Sequence, residues 1–290
     1  MFSRAIAILV IVLVNDCAAS KNWDRDGPVG EVTPVFRSEV QLYGIRDPTA
    51  PNEILADWLA GVGPDPRRPE RSEDLSEILR ADTAQILDLH GIPLDADAKV
   101  QLSRLRRVKW LRLSTGVTAR DLEWLGRLKQ LRGLSLVRAD LAGADFRELA
   151  RLKSLRWLNL SDAKVSPTNL RDLARLTRLE SLFLAGEEIG DDHLCCLAEK
   201  KMPALASLGL ERTSVTDRGI QRICRAYDLE YLGLSFARQV TKRSVASIAR
   251  MKRLQLLAIG MSGICPDALP SDTVQRLSRL LPNCRIDYGD

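Results

Sequence analysis

From Leu87 onward the phrase Leu-x-x-Leu-x-Leu returns at almost constant spacing. Its middle leucine recurs at Leu87, Leu111, Leu134, Leu158, Leu182, Leu208, Leu232 and Leu257, and the expected ninth marker is Cys284 in "LPNCRI". The steps are 24, 23, 24, 24, 26, 24, 25 and 27 residues. A period of this length, held over some two hundred residues, describes stacked supersecondary units. Each unit is too small to cover its own apolar side chains and relies on its neighbours to do so.

Each unit predicts a strand followed by a helix. In Leu-x-Leu the period is two, so Leu208 and Leu210 point inward and Gly209 outward. Val215 closes the turn, and Thr216 then caps a helix whose inner face is Ile220, Ile223 and Cys224. Thr118, Ser166 and Thr241 are the corresponding caps, with Gly190-Asp191 in their place in one unit. The corresponding helix faces are Leu122/Leu125/Gly126, Phe146/Leu149/Ala150, Leu170/Leu173/Ala174, Leu194/Leu197/Ala198 and Val245/Ile248/Ala249.

Leu-x-x-Leu-x-Leu followed by Val-Thr-Asp-x-Gly-Ile resembles the leucine-rich repeat family, in the strand-plus-helix variety of cysteine-containing repeats and in an exported bacterial form. The resemblance covers about Thr83 to Ile286. It implies an α/β fold: a curved solenoid with a parallel sheet on the concave side and helices on the convex side. It also implies binding far more often than catalysis, although fold alone names no partner. The position two residues after Leu-x-Leu, often Asn or Cys in the family, is here Thr115, Arg138, Asp162, Gly186, Arg212, Phe236 and Met261. The usual polar side-chain ladder is therefore expected to be absent or improvised.

Three segments are expected: a signal peptide over 1–19, a proline-rich N-terminal segment over 20–82, and repeats over 83–290. Arg4, the apolar run Ala5 to Val14 and the small residues of "CAAS" have the order of an export signal. Ten residues are too few to cross a bilayer as a helix. No other stretch is long and apolar enough to span, so the mature protein is expected to be soluble and periplasmic, at the cell surface or secreted. The next segment holds 7 of the 13 prolines, with short amphipathic stretches at Asn52 to Leu59 and Ser72 to Leu79, the second suited to capping the array.

The composition offers little for catalysis. There are two histidines, and removal of Cys17 with the signal leaves five cysteines at spacings that make no disulfide framework. His193, Cys195 and Cys196 invite a metal reading, but adjacent helical residues diverge by about 100° and both cysteines fall on the solvent flank. Glu187 to His193 ("EEIGDDH") suits either a calcium loop or acids at a helix N-terminus; the second is the expectation. No nucleophile-base pair, phosphate loop or zinc spacing is present, so neither an enzyme nor a cofactor is expected.

Two surfaces are candidates for binding. Trp110, Arg112, Trp157, Asn159, Phe183, Glu211 and Tyr231 fall on the outward, concave side of the sheet. Trp110 and Trp157 are separated there by Gly133, which predicts a shallow gap between two indoles and tryptophans that can be removed at little cost to stability. The alternative is that these aromatics cover neighbouring strands. The second surface is a basic ladder of Arg104, Arg127, Arg151, Arg175, Arg225, Arg250 and Arg279, followed by Lys129, Lys153, Arg178, Lys252 and Arg253. Complementing helix C-termini explains most of it, and an anionic envelope polymer is the alternative use. The leading expectation is a protein partner on the concave face, with no nucleic acid. A faint F-box resemblance in "PNEIL" gives a further alternative, a ubiquitin-ligase adaptor. Expression with the native N-terminus is expected to yield export and loss of about 19 residues, which N-terminal sequencing checks; intact Met1 in the cytosol contradicts it.

Overall fold

The computed structural model describes residues 86–89, 92–113, 116–265 and 272–288. The expected signal, the proline-rich segment with its two short helices, His90 and Thr115 lie outside the described residues. Among the described residues nine strands form one parallel sheet in chain order: β1 (Ile86–Asp88), β2 (Trp110–Leu113), β3 (Gly133–Leu136), β4 (Trp157–Asn159), β5 (Ser181–Phe183), β6 (Ser207–Gly209), β7 (Tyr231–Gly233), β8 (Leu256–Ala258) and β9 (Arg285–Asp287). Register follows the leucine markers without slippage, Leu87 beside Leu111, Leu134, Leu158, Leu182, Leu208, Leu232 and Leu257. The last step departs from expectation: Leu257 pairs with Ile286, not with Cys284. Cys284 is half-buried outside the strand, where burial pushes its thiol up to about 11.

Helices return the chain between strands: α1 (Ala96–Leu102), α2 (Asp121–Leu125), α3 (Pro167–Leu173), α4 (Asp191–Glu199), α5 (Asp217–Ala226), α6 (Val245–Ile248) and α7 (Asp272–Leu280). The marker leucines are 0% exposed and share one core with the helix faces, including Leu122, Leu125, Phe146, Leu170, Ile220, Ile223 and Ile248. Full burial of a leucine is worth about 1.5–3 kcal/mol, so this shared layer is the main source of stability. The helix expected on Phe146/Leu149/Ala150 is one 3-10 turn, Leu149–Arg151. The approach to it contains Gly143 at φ +71, and its N-cap residue Glu148 makes no side-chain capping bond.

Ser166, Gly190 and Thr216 stand at the N-caps of α3, α4 and α5, and Thr241 caps the 3-10 turn that leads into α6. Thr118 is different. The helix starts after Arg120, and Thr118 instead gives its backbone N–H and hydroxyl to Asp121. The Thr-Asp pair of the repeat works between units as well as within one. Asp191 accepts from the backbone N–H (2.8 Å) and hydroxyl (2.7 Å) of Thr216 in the next unit, and from Gly219 N–H. Asp217 does the same for Thr241 at 2.8 and 2.7 Å and also accepts from the Ser244 hydroxyl. A cap and its carboxylate therefore lock successive helices in register.

After β3 to β8 the chain turns through the left-handed region at Arg138, Asp162, Arg212, Phe236 and Met261, with φ between 55 and 62°, and through Gly186 at 134°. Non-glycine residues pay roughly 1–2 kcal/mol for this conformation. The turn extends the sheet: the N–H groups of Arg138, Asp162, Gly186, Arg212 and Phe236 bond to Ser161, Ala185, Glu211, Ser235 and Gly260 carbonyls of the following units. The improvised ladder is thus made by backbone, which explains why these positions accept Arg, Asp, Gly and Phe alike.

Removing the Asp217 carboxylate leaves a half-buried N–H and two hydroxyls without their acceptor, at about 1–3 kcal/mol for an unmet group. Asp217→Ala is expected to lower unfolding free energy by about 2 kcal/mol in urea denaturation. Asp192→Ala, on the exposed side of the first turn of α4, is expected to change it by less than about 0.5 kcal/mol.

Candidate functional site

The side chains on the sheet's second face, concave in this architecture, come from the alternate positions of β2 to β7. Trp110, Trp157, Phe183 and Tyr231 lie in one row, with ring centroids 6.4 Å apart for Trp110–Trp157, 5.7 Å for Trp157–Phe183 and 6.4 Å for Phe183–Tyr231. Such tilted pairs contribute about 0.5–1.5 kcal/mol beyond burial. The expected gap between the two indoles is closed. Trp110 lies on Gly133, where any added Cβ would collide with its six-membered ring. The rings are withdrawn from water, Trp110 at 1% exposure, Trp157 at 4%, Phe183 at 7% and Tyr231 at 1%. The expectation that either tryptophan can be removed without cost to the fold is therefore corrected.

The polar candidates have separate engagements. Arg112 is half-buried and pairs with Asp88 of β1 at 3.4 Å. Asn159 is buried and its Oδ1 accepts from Ser161 N–H at 2.8 Å, shaping the turn that ends β4. Glu211 is half-buried beyond β6 and accepts a hydrogen bond from the Tyr231 hydroxyl at 2.7 Å. Its carboxylate lies over Gly233, where a Cβ would meet Glu211 Oε1 and the Tyr231 hydroxyl. Withdrawal from water pushes the Glu211 carboxyl above its ordinary value, with the Tyr231 hydrogen bond opposing. Burial, and then the Glu211 charge, push the Tyr231 phenol well up.

The alternation of leucines does not reveal the lip of this face, formed by the left-handed turns. Arg212 crosses Gly186, which has no side chain to obstruct it, and reaches Asp162 at 3.1 Å. On the next two turns Phe236 and Met261 are 40% and 39% exposed. Their sequence signal is the position two residues after Leu-x-Leu, often Asn or Cys in the repeat family; their exposure is a property of the structure.

The basic ladder is largely engaged at helix ends. Arg127 pairs with Glu123 at 2.9 Å, Arg151 with Glu148 at 2.8 Å and Arg175 with Asp172 at 3.7 Å. Lys129, Lys153 and Lys252 donate to the carbonyls of Gly126, Arg175 and Ala249, and Arg253 pairs with Glu230. His193 uses both ring nitrogens structurally, Nδ1 accepting from Gly190 N–H at 3.2 Å and Nε2 lying 3.1 Å from the Val165 carbonyl of the preceding unit. Among the described residues no three His, Cys, Asp or Glu side chains are grouped so as to hold a metal ion. Burial pushes the Cys224 thiol up to about 12, as suits a small core residue.

No protein-family model matches the sequence, and no curated protein matches it. Solved structures do. An internalin (inlF) from Listeria monocytogenes superposes with a TM-score of 0.50 at 17% identity, over 74% of this chain and 70% of that one. The fold is a leucine-rich repeat solenoid. Internalin C2 (inlC2) of the same organism gives 0.42 at 19% identity, over 67% and 73% of the two chains. A complex of TLR13 with ssRNA13 gives 0.45 at 19%, over 68% of this chain and 27% of that one. At these identities the likeness extends to the leucine-rich repeat fold alone, so a role for its concave face must come from this chain's own side chains.

Two results are expected here. Trp157→Ala should lower the unfolding free energy by about 3 kcal/mol, the ordinary loss for a buried tryptophan, as read by urea denaturation. For Glu211 the folded carboxyl pKa lies above the unfolded one. Its ionised form is therefore disfavoured by folding, a penalty present above the folded pKa and absent below the unfolded one. Glu211→Gln should accordingly be more stable than the parent near neutral pH, with the difference shrinking as pH falls through the carboxylate range.

Proposed function

We propose that the protein is a non-enzymatic interaction module that binds a partner protein across the concave face and its lip. The observation that carries this reading is the pair Phe236 and Met261: two large apolar side chains, exposed on adjacent turns that border the aromatic row. Folding gains nothing from exposing them in a left-handed conformation that disfavours bulky residues. Interface cores are enriched in aromatic residues and methionine. In this reading Trp110, Trp157, Phe183 and Tyr231 form a rigid floor, Asn159 shapes it, and the half-buried Arg112 and Glu211 contact the partner beside the lip.

The basic ladder is the weaker surface, because seven of its twelve cations already serve backbone carbonyls or carboxylates. Export remains part of the proposal and rests on the N-terminal apolar run. Among the described residues no helix is long and apolar enough to cross a membrane.

Affinity capture with the mature domain from extracts of its own cells supplies the partner. Replacing Phe236 and Met261 together by serine is expected to weaken capture at least tenfold, or about 1.4 kcal/mol, while leaving the urea midpoint nearly unchanged. Charge reversal at Arg225, Arg250 and Arg279 is expected to leave it intact at physiological salt. The opposite pattern, with binding lost on charge reversal and falling steeply with salt, would assign the function to an anionic polymer.

A further inference from the structure

The outward positions of β3 to β8, together with the residue that continues each strand's alternation, are aromatic, aliphatic, serine, asparagine or glycine with one exception. The exception is Glu211. A lone carboxylate in such a setting is costly, since removal from water disfavours its ionised form. The chain has nonetheless fitted its surroundings to it. Gly209 and Gly233 leave the space that the carboxylate occupies: a Cβ at Gly209 would lie 2.8 Å from Glu211 Oε2, and one at Gly233 would collide with Oε1. The Tyr231 hydroxyl holds Oε1 at 2.7 Å, and Phe183 lies against the Gly209 position on the other side.

This carboxylate has no cationic partner within ion-pair distance among the described residues. The nearest arginine in sequence, Arg212, sets its guanidinium against Asp162 at 3.1 Å and acts on Glu211 through its charge alone, the smallest of the influences on that carboxyl. Elsewhere on the same face the acid is matched, as where Asp88 pairs with Arg112. Glu211 is thus a positioned, half-buried anion flanked by two aromatic rings, and what would complete it is a positive charge from outside the chain. Aromatic walls beside a carboxylate suit an ammonium or guanidinium group, which gains from both the anion and the ring quadrupoles.

We propose that Glu211, positioned by Tyr231 and bordered by Phe183, receives a lysine or arginine side chain of the polypeptide partner. This rests on the concave-face reading and adds to it the chemistry of the partner's central residue. It also gives a role to a carboxylate held in a setting that disfavours its charge: the ionised form is stabilised when the incoming cation replaces lost hydration.

The test uses blocked single amino acids as probes, N-acetyl arginine and lysine methylamides beside their neutral counterparts from citrulline and norleucine. The readout is the ring resonance of Tyr231 in tyrosine-labelled protein, assigned with Tyr231→Phe. The cationic probes are expected to shift this resonance saturably, at least tenfold more tightly than the neutral ones, and Glu211→Gln is expected to lose that preference while keeping the fold. Equal shifts from neutral and cationic probes, no saturable shift, or an unaltered preference in Glu211→Gln would each overturn the proposal. Capture separates the two readings. Unchanged partner affinity in Glu211→Gln, with affinity lost in the Phe236/Met261 double variant, would remove the cation site and leave the concave-face reading standing. Loss of the probe preference in Glu211→Gln, with capture unaffected by the double variant, would support the cation site and remove the lip from the interface.

Discussion

The repeat array depends on one constraint: no repeat can cover its own leucines. Leu158 is shielded by Leu134 and Leu182 on either side and by the returning helices beneath, and the same holds along the array. This layer sets the strand register, because a slip of one residue would turn the leucines to the opposite face. The same constraint explains where the polar chemistry goes. Bonds between units are made at the rims of the core, by the backbone rungs at Arg138, Asp162, Arg212 and Phe236 and by the Asp191–Thr216 and Asp217–Thr241 locks.

How much of this was legible in the sequence follows from which interactions are local. The leucine period and two-residue alternation place eight strands and their register because both depend on position within the unit. The ninth strand escapes because Arg-Ile-Asp carries no Leu-x-Leu, so Cys284 is mistaken for the marker that Ile286 supplies. The helix on Phe146 escapes because its apolar spacing is right while the residues that would start it are not. The left-handed turns are hidden because Arg, Phe and Met do not announce a positive φ; at Arg138, Arg212 and Phe236 it accompanies a backbone rung to the next unit.

The candidate site was legible by face and not by environment. Alternation puts Trp110, Trp157, Phe183 and Tyr231 on one side of the sheet, and the structure keeps them there as a row. It could not show that each ring would meet the next, since that depends on glycines and serines at intervening units letting long side chains lie flat. Exposure thereby moves from the tryptophans to Phe236 and Met261, and the unmatched charge falls to Glu211. Under the proposed function, rigid aromatics below and accessible groups at the rim divide the labour, as binding energy at interfaces concentrates in a few anchors. The basic ladder shows the converse: a regular pattern of charge whose members serve local carboxylates, as at Arg127, Arg151 and Arg175, or backbone carbonyls, as at Lys129, Lys153 and Lys252.

Native-state hydrogen exchange across the nine strands tests the mutual-cover account most directly, since stability in a nearest-neighbour array is a property of position as well as of sequence. Amides in β4, β5 and β6 should be the most protected and should open together, with protection falling by steps toward β1 and β9. Protection that varies from one strand to the next without regard to its neighbours, or a central strand exchanging while the units on both sides stay closed, would contradict the account.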